Sequence, residues 1–321
     1  MDIYIDENNL ESFLDQRNDS LFQDILKLLK RQLEINFNFP KDRLKENENL
    51  SALIPILTSG VKDTQITFNS NFPIRPLKAN SATRFNKHQL TSIYWIDDED
   101  GYKLSDSGSV FIALVGEEID VTKKLFFSQD DYIFNRRWRI GEDGLRCWDD
   151  LREFSLPLTD IIIGDPFVLS KKDGNDTSQN IHNILNMLTY RSFCKTSLVV
   201  FVKPNFIDYD IQKIIRELRT TIKESTGKGC SVTIIKTNKE HDRTIITNYK
   251  RIKAGDSFTF WSDQGILLSK GKELDYESLC NLENHKYSML RIDDFQNIID
   301  FNKRNNPDYI IGDEVSNFLN F

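Results

Sequence analysis

The stretch whose residue types and spacing best suit chemistry is Glu240-His241-Asp242-Arg243-Thr244-Ile245-Ile246-Thr247-Asn248. Side chains alternate across a strand, so His241 and Arg243 lie on one face of it. Arginine offers fixed donors in a fork that matches phosphate oxygens. Histidine attacks phosphorus or shuttles a proton near neutral pH. His241 and Arg243 are therefore the candidate catalytic pair. Gly255, Asp256 and Ser257 follow closely. Asp165 comes directly after an apolar run, where α/β sheets often place ligand contacts. Arg243 and Asp165 are the candidate phosphate contacts. The bland alternatives are that Glu240 or Asp242 neutralises the basic pair, and that Asp165 caps the loop leading into the next helix.

Other groups point to less. Arg136-Arg137-Trp138-Arg139 could grip a nucleic-acid backbone with Trp138 stacked on a base. Asp130, Asp131, Glu142 and Asp143 nearby favour a seam of salt bridges instead. Lys228 sits between Gly227 and Gly229 without Walker spacing, and marks a helix end. Cys147, Cys194, Cys230 and Cys280 lie far apart with no C-x-x-C pair, as in a reduced protein without a disulfide framework or zinc site. His88, His182 and His285 lack the setting of His241. The tail ends in Phe318, Leu319 and Phe321, which either dock on the chain's own core or bind a partner.

The elements that must position these residues can be read from periodicity. Asp160–Ile163, Ser197–Val202, Ser231–Lys236 and Arg243–Thr247 are apolar runs that read as buried strands of one sheet. Helices near 178–192 and 208–224 alternate with them, which indicates a largely parallel sheet covered by helices. The first 40 residues have a helical pattern. Ser20 to Gln23 has capping-box form, and Leu21, Phe22, Ile25, Leu28, Leu29 and Leu33 make one stripe. Short runs at Gln65–Phe68, Ser92–Ile96, Val110–Val115 and Lys124–Phe127, broken by turn-rich stretches, suggest antiparallel strands. The expected organisation is a mixed helical and β-rich lobe over 1–150, then an α/β domain with a C-terminal extension over 151–321.

Composition narrows the class. With 321 residues, 39% hydrophobic and 22 Phe, the chain can build a real core. Its formal charge of −7 argues against a protein that only coats nucleic acid. The charge is uneven: residues 201–254 carry twelve Lys or Arg and six acids, a net +6 that leaves −13 elsewhere. No secretory signal or membrane-spanning run is visible, so a cytoplasmic location is expected.

His241-x-Arg243, four residues, Asn248, six residues and Gly255-Asp256-Ser257 resembles the phospholipase D superfamily motif. That motif is His-x-Lys, four residues, Asp, six residues, Gly-Ser. The upstream order of strand, proline-containing turn, helix, strand, helix and strand is similar too. The His-Asp-Arg form looks especially like the phospholipase D-like domain at the C-terminus of microtubule-interacting-and-trafficking proteins. The likeness covers roughly 150–270. It departs from the family where Arg243 replaces Lys, Asn248 replaces Asp, and Asp256 follows Gly255. It implies a phospholipase D-like sheet in the C-terminal half, with His241, Arg243 and Asn248 as the catalytic residues, Ser257 joining Arg243 and Asp165 in the phosphate-binding set, no cofactor and no metal. One functional reading is a phosphate-recognition module, catalytically weakened, that acts as a binding or adaptor protein for a phosphate-bearing ligand, a nucleic acid or a protein partner. The N-terminal lobe would then supply partner specificity. The other is an active metal-independent phosphodiesterase or nuclease, such as a toxin or defence effector. Family enzymes need two histidines, so this chain would supply the second from a homodimer.

Overall fold

The computed structural model describes residues 1–58, 66–68, 89–97, 111–123, 135–141, 143–170, 174–190, 192, 194–204, 210–239, 242–268 and 271–321. His241, Glu240, His88 and the run Lys124–Phe127 lie outside them. The chain divides into two compact units. Unit 1 is Met1–Phe134 with Leu279–Lys286, and unit 2 is Asn135–Ser278 with Tyr287–Phe321.

Unit 1 holds β1 (Asp2–Ile5), α1 (Glu7–Asp15), α2 (Phe22–Gln32), β2 (Glu34–Phe37), α3 (Arg43–Glu46), α4 (Glu48–Thr58), β3 (Ile66–Phe68), β4 (Ile93–Trp95), β5 (Phe111–Ala113) and α5 (Glu118–Thr122). Its sheet runs β3-β2-β1-β4-β5, and every pairing is parallel. The antiparallel expectation for this half is corrected. Two strands hide in the segment that reads as helical. Both show two-residue alternation over only four positions, with Ile3 and Ile5, then Ile35 and Phe37, turned inward. With α1 and α2 as the crossover between β1 and β2, parallel pairing follows. The stripe on α2 is buried as expected: Phe22, Ile25, Leu28 and Leu29 face the core, with Phe22 stacked on Phe13. The expected cap is not formed by Ser20. The Asp19 carboxylate accepts the Leu21 N–H at 2.8 Å instead.

Unit 2 is an eight-stranded mixed sheet. Its strands are β6 (Asn135–Arg139), β7 (Asp160–Gly164), β8 (Thr196–Val202), β9 (Cys230–Lys236), β10 (Arg243–Thr247), β11 (Lys250–Ala254), β12 (Glu273–Ser278) and β13 (Ile310–Gly312). The order is β13-β9-β8-β7-β10-β11-β12-β6. The four apolar runs thus share one sheet, but only β7, β8 and β9 are mutually parallel. β10 runs antiparallel to β7, and β11, β12 and β6 continue antiparallel. Residues 135–150, grouped by sequence with the N-terminal lobe, fall in unit 2 because β6 pairs with β12.

Every position of β7 and β8 is buried, so both faces of the sheet are covered. Helix α6 (Gln179–Thr189) packs on α7 (Ile211–Thr226), which lies against β9. Helix α8 (Leu282–Asn305) reaches the sheet through Phe295, stacked on Phe201 at 4.4 Å. Gly227, in the left-handed region at φ 69°, ends α7 as the glycines around Lys228 suggest. The C-terminal segment docks on its own unit. Ser316 Oγ and the Asn317 N–H and Nδ2 all donate to the buried Asp160 carboxylate, while Phe318 and Leu319 are buried.

Candidate functional site

β7 is a continuous β-branched run, Ile161-Ile162-Ile163, that ends at Gly164 and delivers Asp165 to the carboxyl edge of the sheet. Pro166 then turns the chain. Asp165 is fully buried. Its Oδ1 accepts the Phe167 N–H at 2.9 Å. Its Oδ2 accepts Ser257 Oγ at 2.8 Å and the Phe258 N–H at 2.7 Å. Burial pushes this carboxyl up to about 6, against the pull of those hydrogen bonds and the Arg243 charge. With both oxygens engaged, Asp165 ties the end of β7 to the loop after β11. A carboxylate is also no partner for a phosphate oxygen. The phosphate-side role read from sequence thus gives way to a positioning role. Ser257 is buried too: it donates to Asp165 and accepts from Thr259 Oγ1 at 3.2 Å.

Arg243 opens β10. The register pairs Thr244 with Gly164, which sets Arg243 across from Asp165. On its other side Arg243 pairs with Ala254. The side chain is half-buried, and its guanidinium carbon stands 5.9 Å from the centre of the Phe167 ring. Arg243, Ser257 and Asp165 are therefore brought together at one edge.

Asn248 is not among them. It follows the far end of β10, where Thr247 pairs with Ile161 at the start of β7. Its Oδ1 accepts the N–H groups of Thr159 and Asp160 at 3.0 and 3.2 Å, and Nδ2 donates to Thr159 Oγ1. That side chain braces the amino end of β7, next to the Asp160 carboxylate that holds the tail. Burial raises Asp160 above the ordinary carboxylate range, opposed by hydrogen bonds from Asn317, Ser316 and Thr159. The expectation that Asn248 lies beside Arg243 is corrected.

The remaining candidates are occupied elsewhere. His182 Nδ1 lies 2.7 Å from Thr221 Oγ1, between α6 and α7, and burial lowers its pKa. In unit 1 His285 Nε2 lies 2.8 Å from Thr91 Oγ1. The Arg136 guanidinium carbon stands over the Trp138 ring, 3.7 Å from its centre, and Arg137 pairs with Asp275 at 2.7 Å and Glu273 at 3.5 Å. The cluster is thus tied into unit 2's own sheet. Burial pushes the Cys230 thiol up to about 12, which makes it a poor nucleophile. Among the described residues, no group of three or more His, Cys, Asp or Glu is placed to hold a metal ion. Nor is any helix there long and apolar enough to cross a membrane.

Sequence reasoning missed Phe167, whose signal was its place after the strand–proline turn. It also missed a hydrogen-bonded polar cluster in unit 1, at the carboxyl ends of β1, β2 and β4. There Asp6 accepts Asn38 Nδ2 at 2.5 Å and the Asp97 N–H at 3.1 Å, and Asp97 accepts Asn8 Nδ2 at 3.1 Å. The short alternating strand before Asp6 was the available signal.

Compared with known proteins, the chain matches no family model and no curated protein sequence.

Proposed function

We propose that unit 2 is a phosphate-recognition module of phospholipase D-like type, with Arg243 as its anion-binding residue, acting as a binding or adaptor protein. The observation that carries this reading is the position of Arg243. It is a half-buried guanidinium at the carboxyl edge of the parallel strands, the edge where α/β sheets receive ligands. The neighbouring Asp165 carboxylate, which accepts three hydrogen bonds from its own loop, tempers the charge of Arg243. Lys203 follows β8 at the same edge, its N–H bonded to Pro166 O at 3.1 Å. The His-x-Arg spacing of the resemblance supports the same residue. In this reading unit 1 supplies partner specificity.

The test is a calorimetric titration of the full chain with inorganic phosphate. Arg243→Ala is expected to weaken binding by about 1.5–3 kcal/mol, the scale of a hydrogen bond to a charged group. Arg243→Lys keeps the charge but loses the fork, and should fall between. Equal affinity in wild type and Arg243→Ala removes the reading.

A further inference from the structure

The eight-stranded sheet ends on β6, and among the described residues no strand pairs with its outer side. The face of the sheet that carries the ion pairs changes sign from strand to strand. β11 brings Arg251 and Lys253, β12 brings Glu273, Asp275 and Glu277, and β6 brings Arg137 and Arg139. The register sets Asp275 between Lys253 and Arg137, and Glu273 opposite Arg139. Glu277 is taken by Arg251 and Lys253 at 2.6 and 2.7 Å, and Asp275 by Arg137 at 2.7 Å. Arg139 is exposed, and none of the described carboxylates pairs with it. The alternation thus stops on a basic row. On the opposite face, β6 sets Trp138 across from Leu274 and half-buries it against Phe154, with 5.8 Å between the ring centres. The backbone of this edge is open as well. Ile140 N–H donates to Lys272 O at 2.8 Å, and residues of an antiparallel pair turn toward the partner strand alternately. Arg137 and Arg139 therefore turn their backbone groups outward. The Arg139 carbonyl accepts the Leu145 N–H at 2.8 Å, which leaves the Arg137 N–H and C=O and the Arg139 N–H.

We propose that the outer edge of β6 takes up an extended segment of a partner protein as a further strand, one that alternates acidic and apolar residues. Its acidic side chains continue the change of sign by facing Arg137 and Arg139. Its apolar ones fall on the other face and extend the covered side beyond Trp138. The three outward backbone groups supply the ladder bonds. An open edge invites pairing of any kind, and the arginines select among partners. A second copy of β6 sets arginine against arginine, and like charges directly opposite are destabilising. A nucleic-acid backbone meets the arginines but has no ladder to offer the Arg137 N–H and C=O. This surface does not depend on the Arg243 reading.

The probe is the peptide acetyl-Glu-Val-Glu-Val-Glu-Val-amide, labelled for fluorescence anisotropy and titrated into the full chain. One control is the Lys-Val peptide of the same length. The other is the Glu-Val peptide N-methylated at its glutamates, which keeps the charge and loses the ladder donors. Wild type is expected to bind the Glu-Val peptide and neither control, with slowed hydrogen exchange at the Arg137 and Arg139 amides. Arg139→Glu reverses one exposed charge and should weaken the Glu-Val peptide by roughly 2- to 30-fold, the range for an exposed attraction turned into a repulsion. The N-methylated arm needs no variant, so a folding defect in Arg139→Glu does not decide the outcome. Equal binding of the N-methylated peptide shows charge attraction without a strand and overturns the proposal. So does an unchanged affinity in Arg139→Glu, exchange that slows only outside β6, or no binding of the Glu-Val peptide to wild type. A duplex oligonucleotide that slows exchange at β6 where the peptide does not assigns the arginines to nucleic acid and overturns it too.

Discussion

Replacing Asp165 with Asn should change how stability depends on pH, and the structure fixes the direction. Burial raises the Asp165 carboxyl from an ordinary 3.8 to about 6 in the folded protein. Its folded pKa exceeds the unfolded one. Its contribution is therefore fully present below about 4 and lost as the pH rises through about 6. That rise corresponds to about 3 kcal/mol, at about 1.4 kcal/mol for each pKa unit. Asn cannot ionise, so the variant lacks this slope. It carries another cost at every pH. An Asn oxygen can serve Ser257 and the Phe258 N–H, but its amide nitrogen then faces the Phe167 N–H, donor against donor. One stranded buried donor costs about 1–3 kcal/mol. Urea unfolding followed by fluorescence at pH 4 to 7.5 tests the balance. The variant should be weaker by about 1–3 kcal/mol near pH 4 and should close most of that gap, or reverse it, by pH 7. Burial also raises the Asp2 carboxyl to about 6 and raises Asp160. Both add the same sign of slope to each protein, so the difference between the two curves is the measured quantity. Parallel curves across this range would refute the reasoning.

Other substitutions test the supports of each unit. Glu118 in unit 1 is fully buried and accepts Asn9 Nδ2, Ser12 Oγ, Gln16 Nε2 and the Gly116 N–H. Glu118→Ala should cost about 2–4 kcal/mol in urea unfolding, mostly through the buried Asn9 amide left without its carboxylate. Gly312 has φ 131°, and a Cβ there would stand 2.2 Å from Val232 O. Gly312→Ala should lower the unfolding midpoint and raise hydrogen exchange along β13 and β9. Asn317→Ala removes a 2.7 Å hydrogen bond to Asp160. It should cost about 1.5–3 kcal/mol and increase proteolysis at the C-terminus, whereas a tail that serves only as a partner peptide would show neither change.

The parts legible in the sequence share a physical cause. β7 and β8 are buried on both faces, so Ile161–Ile163 and Leu198–Val202 appear as unbroken apolar runs. The helices α6 and α7 between such strands keep clear apolar stripes, with Ile181, Ile184, Leu185 and Leu188, then Ile215, Leu218 and Ile222. β11 and β12 have no such signature. One face of this pair is an ion ladder, with Arg251 and Lys253 both bonded to Glu277, and such alternation reads as surface. β6 shows the same disguise, its arginines reading as a charge cluster when Arg137 in fact answers Asp275 across the strands. β1 and β2 are four residues long and flanked by strong helices, which submerges their two-residue period. At the candidate site, the grouping of Asp165, Arg243 and Ser257 at one edge was readable, because the first two follow or open apolar strands. The role of Asn248 was not. The groups it braces, Thr159 and Asp160, are 89 and 88 residues away in sequence. No local pattern reports such a pairing.

The central claim is that Arg243 binds a phosphate at the carboxyl edge of unit 2. Crystals of the full chain soaked in tungstate, an oxyanion visible by anomalous scattering, test it most directly. The account predicts an anomalous peak whose oxyanion lies within hydrogen-bonding distance of the Arg243 guanidinium and which is absent in Arg243→Ala crystals. A peak elsewhere on unit 2 that persists in Arg243→Ala, with nothing at Arg243, would contradict it.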